Sequence, residues 1–314
     1  MTEQTKVAYV FPGQGSQWVG MGRDLYEQFD AAKIVFDEAD DAVGFALSQL
    51  CFEGPEDELR QTINAQPAIV AASLACLRVV EELDDSQRLL PPTYVAGHSL
   101  GEYTALAAAG VLDIASAIYL ASERGRLMHE AGLKQPGGMV AVIGADEALV
   151  AEACEETGTQ IANINCSGQL VISGAKDKLA ETVDLLKSRG VSRTIPLQVS
   201  GAFHTPLMQP AADGLAEVIK SLSFNQPLIP IIANTTAEPL TTAEVIEEEL
   251  LRQLCNCVRW QQSVKYMISN GVSTFIEIGP GKVLTGLIKR IDRAANISNI
   301  GDAESARAAV SSSA

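Results

Sequence analysis

The sequence predicts an α/β protein: a mostly parallel sheet covered on both faces, with a small ferredoxin-like βαββαβ unit inserted into it. Three patterns predict this. Up to about residue 130, short apolar runs of β character alternate with helical periodicity, the rhythm of a buried parallel sheet. From about 137 to 198 the order becomes strand, helix, strand, strand, helix, strand. Short buried strands then resume and are expected to rejoin the first sheet. Residues 1–132 with 199–314 thus form the large unit and 133–198 the small one, which suits 314 residues at roughly 150 per domain.

Val7–Phe11 is the first strand and stops at Pro12-Gly13. A long helical region follows to about Val80. Thr93–Ala96 is the next strand, ending at Gly97, and Leu100–Ala109 is an Ala-rich helix able to pack closely. The inserted unit has strands at Met139–Ile143, Gln160–Ile164, Leu170–Ser173 and Arg193–Leu197, with helices at Glu147–Glu156 and Lys178–Ser188. Leu228–Ala233 and Thr274–Ile278 are the returning strands. Asp302–Ala314, small and polar, is expected to fray.

Hydrophobic residues make up 47% of the chain and charged residues 20%, which is the chemistry of a packed core and not of disorder. A net charge of −16 argues against nucleic acid, since phosphates need Lys and Arg gathered on one face. It also requires a local basic patch for any anionic ligand. Met1–Phe11 lacks the roughly 7–15-residue apolar stretch of a secretory signal. The most apolar run, Pro67–Cys76, is too short to span a bilayer, so no membrane is expected. Cysteines 51, 76, 154, 166, 255 and 257 lack C-x-x-C spacing, and Cys255-x-Cys257 alone is a weak metal signal. No metal is expected, and reduced thiols fit a cytoplasm of bacterial type.

Gly97-His98-Ser99-Leu100-Gly101 fits G-x-S-x-G between a strand and a helix, the setting of a nucleophile elbow. Ser99 would then stand at a helix N-terminus, where free N–H groups favour developing negative charge. Otherwise Ser99 merely caps the helix. A nucleophilic serine needs a base, and the chain holds only three histidines. His98 adjoins Ser99 and should diverge from it at a sharp turn. His129 lies late in a helical stretch beside Arg126 and Glu130 and reads as a solvated helix-end residue. His204 lies in the loop Ser200–Pro206, between a strand and a Pro-started helix, where catalytic side chains gather. Elimination therefore selects His204, with a structural loop histidine as the alternative.

Arg124 follows an apolar stripe of Leu120, Ala121, Leu127 and Met128, while Glu123, Arg126 and Glu130 occupy another face. A buried guanidinium needs an anion and hydrogen bonds, and its planar fork suits a carboxylate. The anion is either a substrate carboxylate or a core acid, unless the side chain snorkels to solvent. Phe11–Gln17 is glycine-rich but lacks both Lys and G-x-G-x-x-G, so it is a poor nucleotide loop. At the end of a strand it could supply an N–H to an oxyanion. Gln253 falls on the apolar side of a helix, where it could orient a histidine ring or simply end the helix.

Together these stretches resemble the malonyl-CoA:acyl carrier protein transacylases of fatty acid synthesis and the acyltransferase domains of polyketide synthases. The matching segments are FPGQGSQ at 11–17, GHSLGEYTAL at 97–106, ASERGRLM around Arg124, GAFH at 201–204 and EIGPGKVLTGL at 277–287, with Gln66 in NAQPAI and Gln253 in RQLCNCVRW. The resemblance runs from about residue 5 to 302. It implies a hydrolase-like core with a ferredoxin-like insertion. It further implies that Ser99 is acylated, that His204 is its base and that Arg124 grips the malonyl carboxylate. By the same resemblance, the backbone N–H groups of Gln14 and Leu100 form the oxyanion hole. The Gln253 carbonyl orients His204, giving a Ser-His dyad without a carboxylate, and Gln66 lines the site. Malonyl-CoA and acyl carrier protein are the implied partners, no cofactor is expected, and a monomer is the default form. Lys187, Arg189, Lys282, Lys289 and Arg290 are candidates for docking the acidic carrier. Phe203 before His204 resembles malonyl-selective members. Cys257 and Cys166-Ser167-Gly168-Gln169 depart from the family pattern and put local loop shape in question. A serine hydrolase such as a thioesterase, or a non-catalytic carrier-binding module, are the rival readings. The first has no need of a buried Arg124, and the second no need of Ser99 and His204.

Overall fold

Strand β1 (Lys6–Phe11) is buried at every residue after Lys6 in the computed structural model, which describes residues 5–84, 89–199 and 201–311. Val7, Tyr9 and Phe11 pack to one side of it and Ala8 and Val10 to the other. Successive side chains of a strand face opposite ways, so a strand apolar on both faces needs a layer on each. One layer draws on α1 (Arg23–Gln28), α2 (Asp30–Val43), α3 (Leu47–Glu53), α4 (Glu56–Leu59), α5 (Thr62–Leu83), α6 (Gly101–Ala108) and α7 (Ile114–Lys134). The apolar run at Pro67–Cys76 is the middle of α5, a 22-residue helix long and apolar enough to cross a membrane. Its most apolar window is 83% buried inside the fold, as befits a core helix that is apolar all round.

The large sheet adds β2 (Tyr94–Gly97), β7 (Ile231–Ile232), β8 (Pro239–Leu240), β9 (Val272–Ile278) and β10 (Asn296–Ile300), in the order β10-β9-β1-β2-β7-β8. All its pairs are parallel except β7 with β8. The strand expected over Leu228–Ala233 shrinks to two residues. Pro230 has no N–H for a ladder, and Leu228 gives its own N–H to Ala109 O at 2.8 Å. Helices α10 (Gln209–Ile219) and α11 (Ala243–Cys255) join the first layer, while α12 (Trp260–Ser269) and α13 (Val283–Ile291) cover the other face.

The intervening segment builds a second sheet. Its elements are β3 (Gly137–Ile143), α8 (Glu147–Thr157), β4 (Gln160–Cys166), β5 (Gln169–Ala175), α9 (Lys176–Ser188) and β6 (Arg193–Pro196). The order is β4-β5-β3-β6, antiparallel throughout. Along β3, Val140 and Val142 pack with residues of α8 and α9, while Met139 and Ala141 face the large core. The second sheet therefore turns one face to its helices and the other to the first unit.

The C-terminal segment does not fray as expected. It forms α14 (Ala303–Ser311), whose Ala303 and Ala306 are buried. Asp302 Oδ1 caps it by accepting from the Ser305 N–H at 2.8 Å, and Asp24 Oδ2 accepts from the Ala303 N–H at 2.7 Å. The small residues that looked unable to hold a structure allow the helix to dock closely; residues 312–314 lie outside those described.

The turn from β2 into α6 passes hard against β1. A Cβ on Gly97 would lie 1.8 Å from Gly101 C, and one on Gly101 would lie 2.1 Å from Phe11 O. Both neighbours are backbone and cannot step aside. Gly101→Ala is therefore expected to lower stability by about 3 kcal/mol or more, at the upper end of overpacking costs. Urea unfolding measures this; a loss below about 1 kcal/mol would show that β1 and α6 can move apart.

Candidate active site

Ser99 occupies the left-handed region at φ 50°, a conformation uncommon outside glycine. Asn234, just past β7, holds it there. Its Oδ1 accepts from the Ser99 N–H at 2.6 Å, and its Nδ2 donates to Gly97 O at 2.7 Å. The backbone N–H of Asn234 donates in turn to Glu102 Oε1 at 3.0 Å. The turn is thus tied on both sides of the serine, and the glycines of the motif supply space while Ser99 itself carries the positive φ.

His204, also at positive φ (60°), is 3% exposed. Its Nε2 lies 2.9 Å from Ser99 Oγ and its Nδ1 2.7 Å from the Gln253 backbone oxygen. A carbonyl only accepts, so in the neutral ring Nδ1 carries the hydrogen and Nε2 keeps its lone pair for the hydroxyl. Burial, reinforced by the Arg124 charge, pushes the imidazole down to about 3. His204 is therefore neutral at physiological pH and able to take a proton from Ser99.

The other histidines stand apart from this pair. His98 Nε2 bonds Asn165 Oδ1 at 2.8 Å, diverging from Ser99 as the turn requires. His129 is not the solvated helix-end residue expected. It is half-buried in α7, five residues before that helix ends, with Nδ1 shielded from solvent. Ser200, where the His204 loop was expected to begin, lies outside the described residues.

Arg124 is 1% exposed. Nη1 donates to Gln66 Oε1 at 2.7 Å, and Nη2 donates to Gln253 Oε1 at 2.8 Å and Ser99 Oγ at 3.1 Å. The guanidinium also lies 5.2 Å from the centre of the Tyr103 ring. Its hydrogen-bond partners are two amides and a hydroxyl, so among the described residues no core acid pairs with it directly. The neighbouring charges Glu123, Arg126 and Glu130 satisfy one another on the outer face of α7.

A cavity of about 570 Å³ opens over Ser99 between the two sheets, lined by His98, Arg124 and His204 on one side and Met139, Ala141 and Asn163 on the other. Gln14 also lines it, its side chain donating to Thr62 Oγ1 at 3.1 Å. Gln14 stands three residues past the end of β1, and Leu100, next to Ser99, precedes α6. Gln169, at one of the family departures, lines the rim and accepts from Arg290 Nη1 at 2.5 Å. The thiol of Cys257, the other departure, is turned to the Val258 carbonyl at 3.7 Å. Among the described residues no group of three or more His, Cys, Asp or Glu could hold a metal ion.

The five basic docking candidates separate. Lys187 pairs with Asp184 at 3.1 Å and Arg189 with Glu156 at 2.6 Å, both on the helical side of the second sheet. Lys289 Nζ donates to Ala295 O at 2.6 Å. Lys282 caps the start of α13 and Arg290 lies in its last turn, and Val283, Leu284 and Leu287 of the same helix line the cavity.

Sequence reasoning did not single out Asn234 or Glu102. Asn234 carried a signal, a polar residue directly after an apolar strand run, at the strand end where sites gather. Glu102 lay within a quoted motif, three residues past Ser99. It is fully buried and accepts from Asn234 and Gln253; burial first, then Glu249, push its carboxyl well above the usual carboxylate range, against the downward pull of its donors.

Residues 8–307 match the acyl transferase domain family. The chain is 45% identical over 311 residues to a malonyl CoA-acyl carrier protein transacylase of Bacillus subtilis (strain 168), covering 98% of this chain and 96% of the relative. The structure of an acyl-carrier-protein-S-malonyltransferase from Bartonella henselae aligns with a TM-score of 0.93 at 42% identity, over 98% of this chain and 99% of that one. A structure of a type II PKS acyl-carrier protein in complex with its malonyl-transacylase aligns with a TM-score of 0.93 at 41% identity, over 98% and 99% of the two chains. The chain therefore belongs to the acyl transferase domain family, as a member of its malonyl CoA-acyl carrier protein transacylases.

Proposed function

We propose that the chain moves the malonyl group of malonyl-CoA to the phosphopantetheine thiol of acyl carrier protein, through a malonyl ester on Ser99, in fatty acid biosynthesis. The observation that carries this reading is the meeting of three groups at one hydroxyl. Ser99 Oγ lies 2.9 Å from the His204 ring and 3.1 Å from the Arg124 guanidinium. A hydrolase of neutral acyl groups has no use for that buried cation. A carrier-binding scaffold has no use for the imidazole.

In the first half-reaction His204 Nε2 takes the Ser99 proton as Oγ attacks the thioester carbon. The Gln14 and Leu100 N–H groups hold the resulting oxyanion; one such donor contributes about 10²–10³ in rate. The C–S bond then breaks and CoA leaves as a thiol, carrying the proton from His204. In the second half the carrier thiol gives its proton to Nε2 and attacks the ester, and Ser99 recovers its hydrogen. The mechanism is ping-pong and uses no cofactor. Throughout, the Gln253 carbonyl holds the base in one tautomer. Arg124, steadied by Gln66, holds the malonyl carboxylate by paired N–H donors.

The carrier complex among the structural neighbours supports acyl carrier protein as partner. Lys282 and Arg290, beside the cavity, are the docking residues this reading favours. The strand order of the second sheet, with both helices on one face, supports a ferredoxin-like subdomain over 133–198. The parallel sheet with its serine turn supports a hydrolase-like core of 1–132 and 199–314. The dyad and the arginine come from a single chain, so the chemistry proposed here needs no residue from a second copy.

Incubation with malonyl-CoA alone should add one malonyl mass to the peptide bearing Ser99, seen by mass spectrometry. No adduct, or rapid release to water without carrier, would favour the rival readings. Arg124→Ala should lower kcat/KM for malonyl-CoA about 10–100-fold relative to acetyl-CoA, the scale of a lost hydrogen bond to a charged group. An unchanged preference would remove the anchor role.

The buried base also sets a pH signature. Acylation kcat/KM should stay level as pH falls through 6.5, the value of an ordinary histidine, and break only toward 3. A break near 6.5 would show a solvated imidazole. Stability runs the other way: the unfolded ring gains its proton below 6.5 while the native ring refuses it until about 3, so stability drains away across that interval as pH falls.

A further inference from the structure

Glu102, fully buried at the start of α6, is used by none of the steps above. A buried carboxyl group is costly unless its oxygens are met. Here every hydrogen-bond partner is a donor. Oε1 accepts from the Asn234 N–H at 3.0 Å and from Asn234 Nδ2 at 2.9 Å, and Oε2 accepts from Gln253 Nε2. A proton on Glu102 would find no acceptor among them, so these donors favour the carboxylate against the opposing push of burial and Glu249.

The other end of the Gln253 amide accepts from Arg124 Nη2 at 2.8 Å. Its orientation is fixed by chemistry: a guanidinium only donates and a carboxylate only accepts, so Oε1 faces Arg124 and Nε2 faces Glu102. The second Nε2 hydrogen goes to the Ser99 carbonyl at 2.9 Å. Glu249, the neighbouring acid, is committed elsewhere, to the Thr235 N–H at 2.8 Å and the Thr235 hydroxyl.

We infer that Glu102 is a specificity-determining positioning residue, the counter-charge of Arg124 set one amide away, which locks Gln253 so that the guanidinium stays turned toward the acyl carboxylate. A carboxylate paired directly with Arg124 would balance the charge too, but would compete for the N–H groups a substrate needs. The interposed amide balances the charge and leaves those donors available. The backbone carbonyl of the same Gln253 holds His204, so base and anchor are set by one residue. The inference rests on the reading of Arg124 as the malonyl anchor.

The test uses the full chain with Glu102→Gln, which keeps shape but places an NH₂ among donors. Initial acylation of Ser99 is measured with malonyl-CoA and acetyl-CoA, resolving kcat from KM. The malonyl-to-acetyl ratio of kcat/KM is expected to fall about tenfold or more, mainly through a higher malonyl-CoA KM, the scale of a hydrogen bond to a charged group. Gln253→Leu should lower the ratio similarly. The double variant should lie within about threefold of Gln253→Leu, since Glu102 acts through that amide. A ratio within about twofold of wild type, or equal losses for both acyl groups, overturns the inference. If Glu102→Gln does not fold, the ratio in Gln253→Leu decides by the same criterion. Wild-type protein that takes no malonyl on Ser99 would instead overturn the function proposed above.

Discussion

A guanidinium buried to 1% exposure, with two amides and a hydroxyl and no carboxylate among its described hydrogen-bond partners, is the constraint around which this site is arranged. Removing such an ion from water costs several kcal/mol even after relaxation. The fold offsets this with amide oxygens from Gln66 and Gln253, the Tyr103 ring face and the more distant Glu102. The amides and the ring stabilise the charge without cancelling it, and none takes the fork that a carboxylate prefers. The same charge helps keep His204 unprotonated, so anchor and base are electrostatically linked.

The second requirement is a serine held in an unfavourable backbone conformation. Positive φ at Ser99 and at His204 costs of order 1–3 kcal/mol each and persists only where the surroundings over-determine it. At Ser99 the determinants are visible: Asn234 bonds on both sides of the turn, and the crowded glycines press α6 against β1. At His204 the Gln253 carbonyl fixes the ring. Strain and hydrogen bonding together present an imidazole lone pair to a hydroxyl across the boundary of two distant chain segments.

Much of this was legible in the sequence because the scarce residue types were informative. Three histidines leave little choice of base, and an arginine on the stripe of Leu120, Ala121, Leu127 and Met128 points to either a buried charge or a snorkelling side chain. The ββ and βα rhythms gave both sheets, since alternation and apolar runs survive in any context. What stayed hidden depends on tertiary meeting points. Glu102 and Asn234 touch only because β2 and β7 are neighbours, although 132 positions separate them. Strand β10 reads as polar, and α14 as a frayed tail, because small side chains acquire meaning only from the surface they dock on. Pro230 shortened β7 against an apolar run that pointed to a longer strand.

The site's selectivity turns on where the acyl carboxylate goes, and a crystal structure of the chain malonylated on Ser99 would show this most directly. The carboxylate should lie within hydrogen-bond distance of Arg124, with the Ser99 contact of Nη2 given over to it and the Gln66 and Gln253 amides still in place. A carboxylate facing solvent, or held by a different side chain while Arg124 keeps its present partners, would contradict the account.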